Sequence, residues 1–193
     1  MNEILPIFSI VVLIFSVMVH EISHGAMALY FGDETAKRLG RLTFNPIKHI
    51  DPVGSIILPG LLLLTGGFFV FGWAKPVPYN PLFLSNQRWG PALVAAAGPL
   101  SNIILAVVLA VIFRVGSLYG FVPMELEPLF GIVVIINLAL AVLNSLPIPP
   151  LDGAEVLKAI VPSRSPIFEG LRNLEQLGMW AVPIGLIVFL FIG

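Results

Sequence analysis

Two histidines four residues apart with a glutamate beside the first, His20-Glu21-Ile22-Ser23-His24, are the side chains of this sequence best suited to chemistry. On a helix, positions i and i+4 lie one above the other on one face, so both imidazoles can grip a single metal ion. Glu21 lies about 100° around the helix from His20, close enough to take a proton from water at the metal without being a ligand itself. The plain alternative is a chance match, or two histidines satisfied within a helix core. Against it, two of the three histidines stand here beside a carboxylate, in an otherwise apolar stretch. Burying three ionisable groups in a membrane without use costs several kcal/mol, so a metal site is expected. The chain has no cysteine, so nitrogen and oxygen must hold any metal.

A catalytic zinc site usually has three protein ligands and one open position, so one ligand must come from elsewhere in the chain. His49, Asp33, Asp51, Asp152 and Glu155 are the candidates. Asp152 is best placed, because it follows an apolar span that ends on the same side as the histidine pair, and the prolines at 147, 149 and 150 force irregular backbone there. Spacing alone leaves Asp152 open between a ligand and the N-cap of a helix beginning at Gly153. Asp33 and Asp51 fall in a basic loop where turn chemistry explains them, and His49 reads as a solvated residue of that loop.

The elements that must position these residues are membrane spans. Of 193 residues, 58% are hydrophobic and 11% charged, with a mean hydropathy of +0.99, whereas soluble domains are about one quarter charged. The net charge of −1 and the absence of a like-charged block give no reason to expect nucleic acid. A crossing needs about 20 apolar residues. Segments 4–31, 91–113, 129–146 and 177–192 qualify or nearly so, and 53–73 is interrupted by Pro59-Gly60 and Gly66-Gly67. The amino-terminal Met1-Asn2-Glu3 lacks the basic side chain of a signal peptide, so the first segment reads as a retained helix. Arg41-Leu42-Thr43-Phe44 has the makings of a short strand, and 75–89, with three prolines, reads as an irregular connector.

Basic side chains orient the spans. Lys37, Arg38, Arg41, Lys48, Lys75, Arg88, Lys158, Arg164 and Arg172 lie in connectors, whereas 116–127 has none. The positive-inside rule therefore puts the first set in the cytoplasm and the amino terminus outside. Full crossing by 53–73 would carry Lys75 and Arg88 outside, so re-entry is the reading that keeps the rule. The expected fold is all-α and polytopic: about four transmembrane helices, a re-entrant apolar segment and short strand-like connectors, as one membrane-embedded domain over 1–193. Asn137 and Asn144 share a helix face, and Asn102 lies in the neighbouring helix. Amides in lipid turn toward protein, which favours interhelix hydrogen bonding for Asn102 and Asn137. Trp180 belongs to a lipid-facing end with no chemistry.

Three stretches carry a resemblance: the His20–His24 sequence, Ala97-Gly98-Pro99-Leu100-Ser101-Asn102, and Asn144-Ser145-Leu146-Pro147-Ile148-Pro149-Pro150-Leu151-Asp152-Gly153. They resemble the signature motifs of the site-2 protease family of intramembrane zinc metalloproteases, peptidase M50 type, and the last fits N-x-x-P-x-x-x-L-D-G at every fixed position. Arg41-Leu42-Thr43-Phe44-Asn45-Pro46 and Gly72-Trp73-Ala74-Lys75-Pro76-Val77-Pro78 are similar to connectors of its short prokaryotic type. The resemblance implies that Asp152 is the third ligand to one Zn2+ per chain, that Glu21 activates water, and that Asn144 helps hold the substrate strand or the transition state. It implies a multi-pass cell-membrane hydrolase with its active site toward the cytoplasm, cleaving single-span membrane proteins in or near their transmembrane segments. No PDZ or CBS regulatory domain is expected in this length, and the catalytic helix comes first, without the preceding spans of many relatives. The rival readings are a membrane metal transporter, which would show internal repeats and broken mid-membrane helices, and a catalytically silent scaffold, which would not need Glu21.

Overall fold

A computed structural model of the chain describes residues 4–57 and 73–176. The first span, α1 (Ile4–Tyr30), is apolar apart from its serines and the His20–His24 stretch, and its buried residues include Val12, Ser16, His20, His24 and Ala28. This every-fourth-residue ridge is the row that packs against a neighbouring helix, so the two histidines ride on the packing face. Ser9 and Ser23 donate their hydroxyls to the carbonyls of Leu5 and Val19, one turn back, which satisfies them inside the helix. Gly32, at φ +97°, turns the chain out of α1. A one-turn helix, α2 (Thr35–Arg38), and short turns at Pro46–His49, Pro52–Ile57 and Pro81–Phe83 follow.

The second span, α3 (Gly90–Leu118), offers α1 a row of small residues: Ala92, Ala95, Gly98, Asn102 and Ala106 are buried. Small side chains let two helix backbones approach closely where no hydrophobic effect drives them together. Pro99 lies inside α3 and cannot donate to Ala95, which loosens the helical ladder at that turn. After a turn at Met124–Leu126 comes α4 (Glu127–Asn144), which packs on both α1 and α3 through Asn137 and Ala141. Two amphipathic helices close the described chain, α5 (Asp152–Ile160) and α6 (Pro166–Gln176). Lys158 ties them, bonding Glu155 within α5 and Glu175 of α6, the latter at 2.9 Å.

Among the described residues, three helical segments, Ile4–Tyr30, Gly90–Leu118 and Met124–Asn144, are long and apolar enough to cross a membrane. Only 22%, 28% and 11% of their most apolar windows are buried within the protein, so the remaining apolar surface suits lipid and not water. The expected fourth span at 177–192, and the body of the expected re-entrant segment, lie outside the described residues. The expected strand at 41–44 does not form, and there is no strand among the described residues. Arg41 turns inward and donates to the carbonyls of Lys75 at 2.7 Å and Pro76 at 3.2 Å. With Pro76 and Pro78 lacking N–H groups, no regular ladder can run along this connector.

Candidate metal centre

His20 and His24 project from the middle of the α1 ridge, and Asp152 reaches them from the first turn of α5. Asp152 Oδ2 lies 3.1 Å from His20 Nε2 and 3.4 Å from His24 Nε2, and the three candidate ligand atoms lie within 4.8 Å of one another. The capping alternative for Asp152 fails, because the residue before α5 is Leu151 and no side chain caps that helix end.

The protons on the two imidazoles decide what this cluster is. His20 Nδ1 lies 2.7 Å from Asn102 Oδ1, and His24 Nδ1 lies 2.7 Å from the carbonyl of Val94. Neither oxygen can donate, so each Nδ1 carries a hydrogen, and in the neutral imidazole that a metal ion requires each Nε2 turns a lone pair toward Asp152. Asp152 Oδ2 is buried and faces these two ring nitrogens. With both imidazoles neutral, three lone pairs face one another and repel, and a cation relieves all three at once. Ligand atoms about 2.0–2.2 Å from a tetrahedral zinc stand about 3.3–3.6 Å apart, close to the two spacings from Asp152 Oδ2. Partners on the outer ring nitrogens, as Asn102 and Val94 provide, are usual for metal-bound histidine.

Two glycines make the approach possible. A β-carbon at Gly98 would meet the His24 ring, with Cε1 at 2.5 Å, and Cε1 of His20 at 2.6 Å, so the smallest residue of the Ala97-Gly98-Pro99 stretch leaves room for the imidazoles. A β-carbon at Gly153 would collide with the carbonyls of Ser145 and Leu146. That backbone contact folds the start of α5 under the end of α4 and holds Asp152 at the histidines.

Glu21, next to His20, accepts the N–H of Val77 at Oε2, 2.7 Å away. Arg41 holds the two carbonyls preceding Val77, so the proline-rich connector is fixed across the helix turn that carries Glu21. Asn144, the last residue of α4, donates to the carbonyl of Leu140 at 2.9 Å. Beside Asp152, an apolar groove of about 290 Å³ runs between α3 and α5, past Ala96, Pro99, Leu100, Val156 and Leu157.

The other ligand candidates have separate duties. Asp33 is buried and accepts Thr35 N–H at 3.0 Å, the Thr35 hydroxyl at 2.5 Å and Asn80 N–H at 2.6 Å. Asp51 accepts the N–H groups of Val53 and Gly54, capping the turn it precedes. Glu155 pairs with Lys158. His49 is buried, not solvated as its basic loop suggested, with Nε2 2.8 Å from the carbonyl of Thr43. The interhelix amides are as expected for Asn102 and Asn137, but one partner of Asn102 is a metal-site histidine. The Val94 carbonyl and the Val77 N–H are backbone groups with no signature in the sequence.

The chain matches the model of peptidase family M50 over residues 8–123 and 120–182. It is 41% identical over 160 residues to "Putative zinc metalloprotease YwhC" of Bacillus subtilis, covering 80% of this chain and 69% of that protein. With "Putative zinc metalloprotease Rip2" of Mycobacterium tuberculosis it shares 33% identity over 175 residues, 91% of this chain and 63% of the relative. The chain thus spans about two thirds of the length of these curated relatives. No solved structure matches it significantly.

Proposed function

The chain belongs to peptidase family M50, and from that premise we propose that it is an intramembrane zinc endopeptidase cutting single-span membrane proteins in or near their transmembrane segments. The observation that carries this reading is the convergence of His20 Nε2, His24 Nε2 and Asp152 Oδ2 on one point beside Glu21, within the C-terminal third of an apolar helix. His20, His24 and Asp152 hold the ion. Bound zinc supplies Lewis-acid polarisation of a carbonyl and brings the pKa of water toward neutrality.

The protein's own groups do the rest. Glu21 accepts the proton of the attacking water and later delivers it to the leaving amine nitrogen. The Val77 N–H holds one carboxylate oxygen of Glu21 in place. Asn144 keeps one amide proton on Leu140 and offers the other to the substrate strand or the oxyanion. The groove beside Asp152 is apolar, which suits an unwound segment arriving sideways from lipid.

The same reading places the site on the cytoplasmic face of the cell membrane, with four spans and re-entry of 53–73. What supports re-entry is that the flanks of that segment are bonded to each other. Trp73 N–H donates to the Gly54 carbonyl at 3.1 Å, Ser55 Oγ donates to the Trp73 carbonyl at 2.8 Å, and Lys75 N–H donates to the His49 carbonyl at 2.8 Å.

The test is Glu21→Gln. The amide cannot accept the proton but leaves the ligands untouched, so zinc content should hold while cleavage of a single-span substrate in detergent falls about 10²- to 10⁴-fold. Undiminished cleavage by the zinc-loaded variant would remove Glu21 as the base. A metal transporter would show no membrane substrate accumulating in cells that carry the variant.

A further inference from the structure

Behind the metal centre, three helices share a closed polar chain. Asn102 Nδ2 donates to the Ser16 carbonyl at 3.2 Å and to Asn137 Oδ1 at 2.8 Å. Asn137 Nδ2 donates to Ser16 Oγ at 2.9 Å and to the Val133 carbonyl at 2.8 Å. Asn102 and Asn137 are completely buried, and Ser16 is 2% exposed.

The direction of this chain follows from its two ends. A backbone carbonyl only accepts, so the Asn137 atom facing Val133 must be its NH2, which turns Oδ1 toward Asn102. The Asn102 atom facing Asn137 Oδ1 and the Ser16 carbonyl must likewise be NH2, which turns Asn102 Oδ1 toward His20. His20 must then carry its hydrogen on Nδ1 and present Nε2 bare to the ion. Each of the four amide hydrogens of Asn102 and Asn137 meets an acceptor, and reversing either amide would set two donors or two acceptors face to face at full burial.

We propose that Asn137, whose hydrogen bonds run to Asn102, Ser16 and Val133 and not to His20, His24 or Asp152, is a positioning residue for the metal centre: through Asn102 it fixes the amide orientation that sets the tautomer and the ring angle of His20. The inference rests on His20, His24 and Asp152 binding zinc, and not on proteolysis. With Asn137 replaced by leucine, one Asn102 proton loses its acceptor, and the Asn102 amide and the His20 ring gain a second orientation. Groups that orient a ligand in this way typically affect metal affinity about 10- to 100-fold.

The experiment measures zinc affinity of purified full-length protein by chelator competition, with thermal unfolding recorded for zinc-free and zinc-loaded samples. Asn137→Leu should bind zinc about 10- to 100-fold more weakly, and the rise in Tm on adding zinc should shrink with it. Ser16→Ala removes only the hydroxyl that holds the Asn137 amide, so it should fold where the larger change does not. It should weaken zinc binding in the same direction by about two- to tenfold, the worth of one hydrogen bond. A residue that merely fills space would lower both melting temperatures alike and leave zinc affinity within twofold, and that result overturns the proposal. If the wild-type protein takes up no zinc, the metal reading falls and this inference with it. If it does, and both variants bind as tightly, only the inference falls.

Discussion

At position 98 a single methyl group is enough to decide whether the two imidazoles can stand where they do. The β-carbon of Gly98→Ala would press on the His20 and His24 rings, and those rings are held from behind by Asn102 and Val94, so they cannot rotate away without losing a hydrogen bond. Purified Gly98→Ala should therefore retain well under half of the wild-type zinc by elemental analysis while keeping its helical content. In the proposed zinc site His24→Ala removes one of three ligands, leaving two where a catalytic site needs three, and should retain almost none. Stoichiometric zinc in His24→Ala would mean that the ligands are wrongly assigned. Gly153 is the stricter case, because the atoms its β-carbon would strike are backbone carbonyls that no rotamer change can move.

Between elements, Asp33 gathers the connectors through three hydrogen bonds. Burial alone would raise its carboxyl pKa, but hydrogen bonds from the Thr35 hydroxyl, Asn80 N–H and Thr35 N–H, with Arg38 nearby, outweigh it and hold the group below the ordinary carboxylate range. A carboxylate whose pKa is lowered on folding stabilises the fold at pH values above its unfolded pKa, about 3.9, and that contribution is lost as pH falls through the folded value. Asp33→Asn sets an NH2 against backbone donors and should cost about 1–3 kcal/mol at pH 7, read as a lower midpoint in denaturant. The gap between wild type and variant should close as the pH drops below about 4. A gap that stays constant would show that the charge on Asp33 is not what ties α1 to the 74–80 connector.

On the scale of the whole molecule, the connectors separate to two ends of the bundle. The turns after α1 and before α3 are hydrogen-bonded to each other, as in Ser85 N–H to the Phe31 carbonyl at 2.7 Å, and α5 lies at that same end through Asp152. The α3–α4 turn at 119–126 is one span away. The protein has no cysteine, so single cysteines at exposed Gln87 and Gly120 can report the two sides. An impermeant thiol reagent applied to intact cells should label Gly120→Cys and leave Gln87→Cys unmodified. Labelling of Gln87→Cys from outside would overturn the cytoplasmic placement of this end.

Much of this was open to reading in the one-dimensional chain. Hydropathy over about 20 residues finds a span because each span must satisfy its own backbone in lipid, and 4–30, 90–118 and 124–144 stand where the apolar runs do. The i, i+4 rule puts His20 and His24 on one face because helix geometry is local. What stands opposite that face is not local. Asp152 is more than 120 residues from His24 in the chain, and spacing could not separate a ligand from an N-cap until α4 and α5 met at Gly153. The partners that set the protons on the histidines, Asn102 and the Val94 carbonyl, are 82 and 70 residues away, and one of them is backbone that any side chain would offer. Residue types and short-range periodicity therefore settle which groups can do chemistry. Only the packing of three helices decides which lone pairs face one another, because a hydrogen bond depends on distances and directions between segments that the order of residues does not contain.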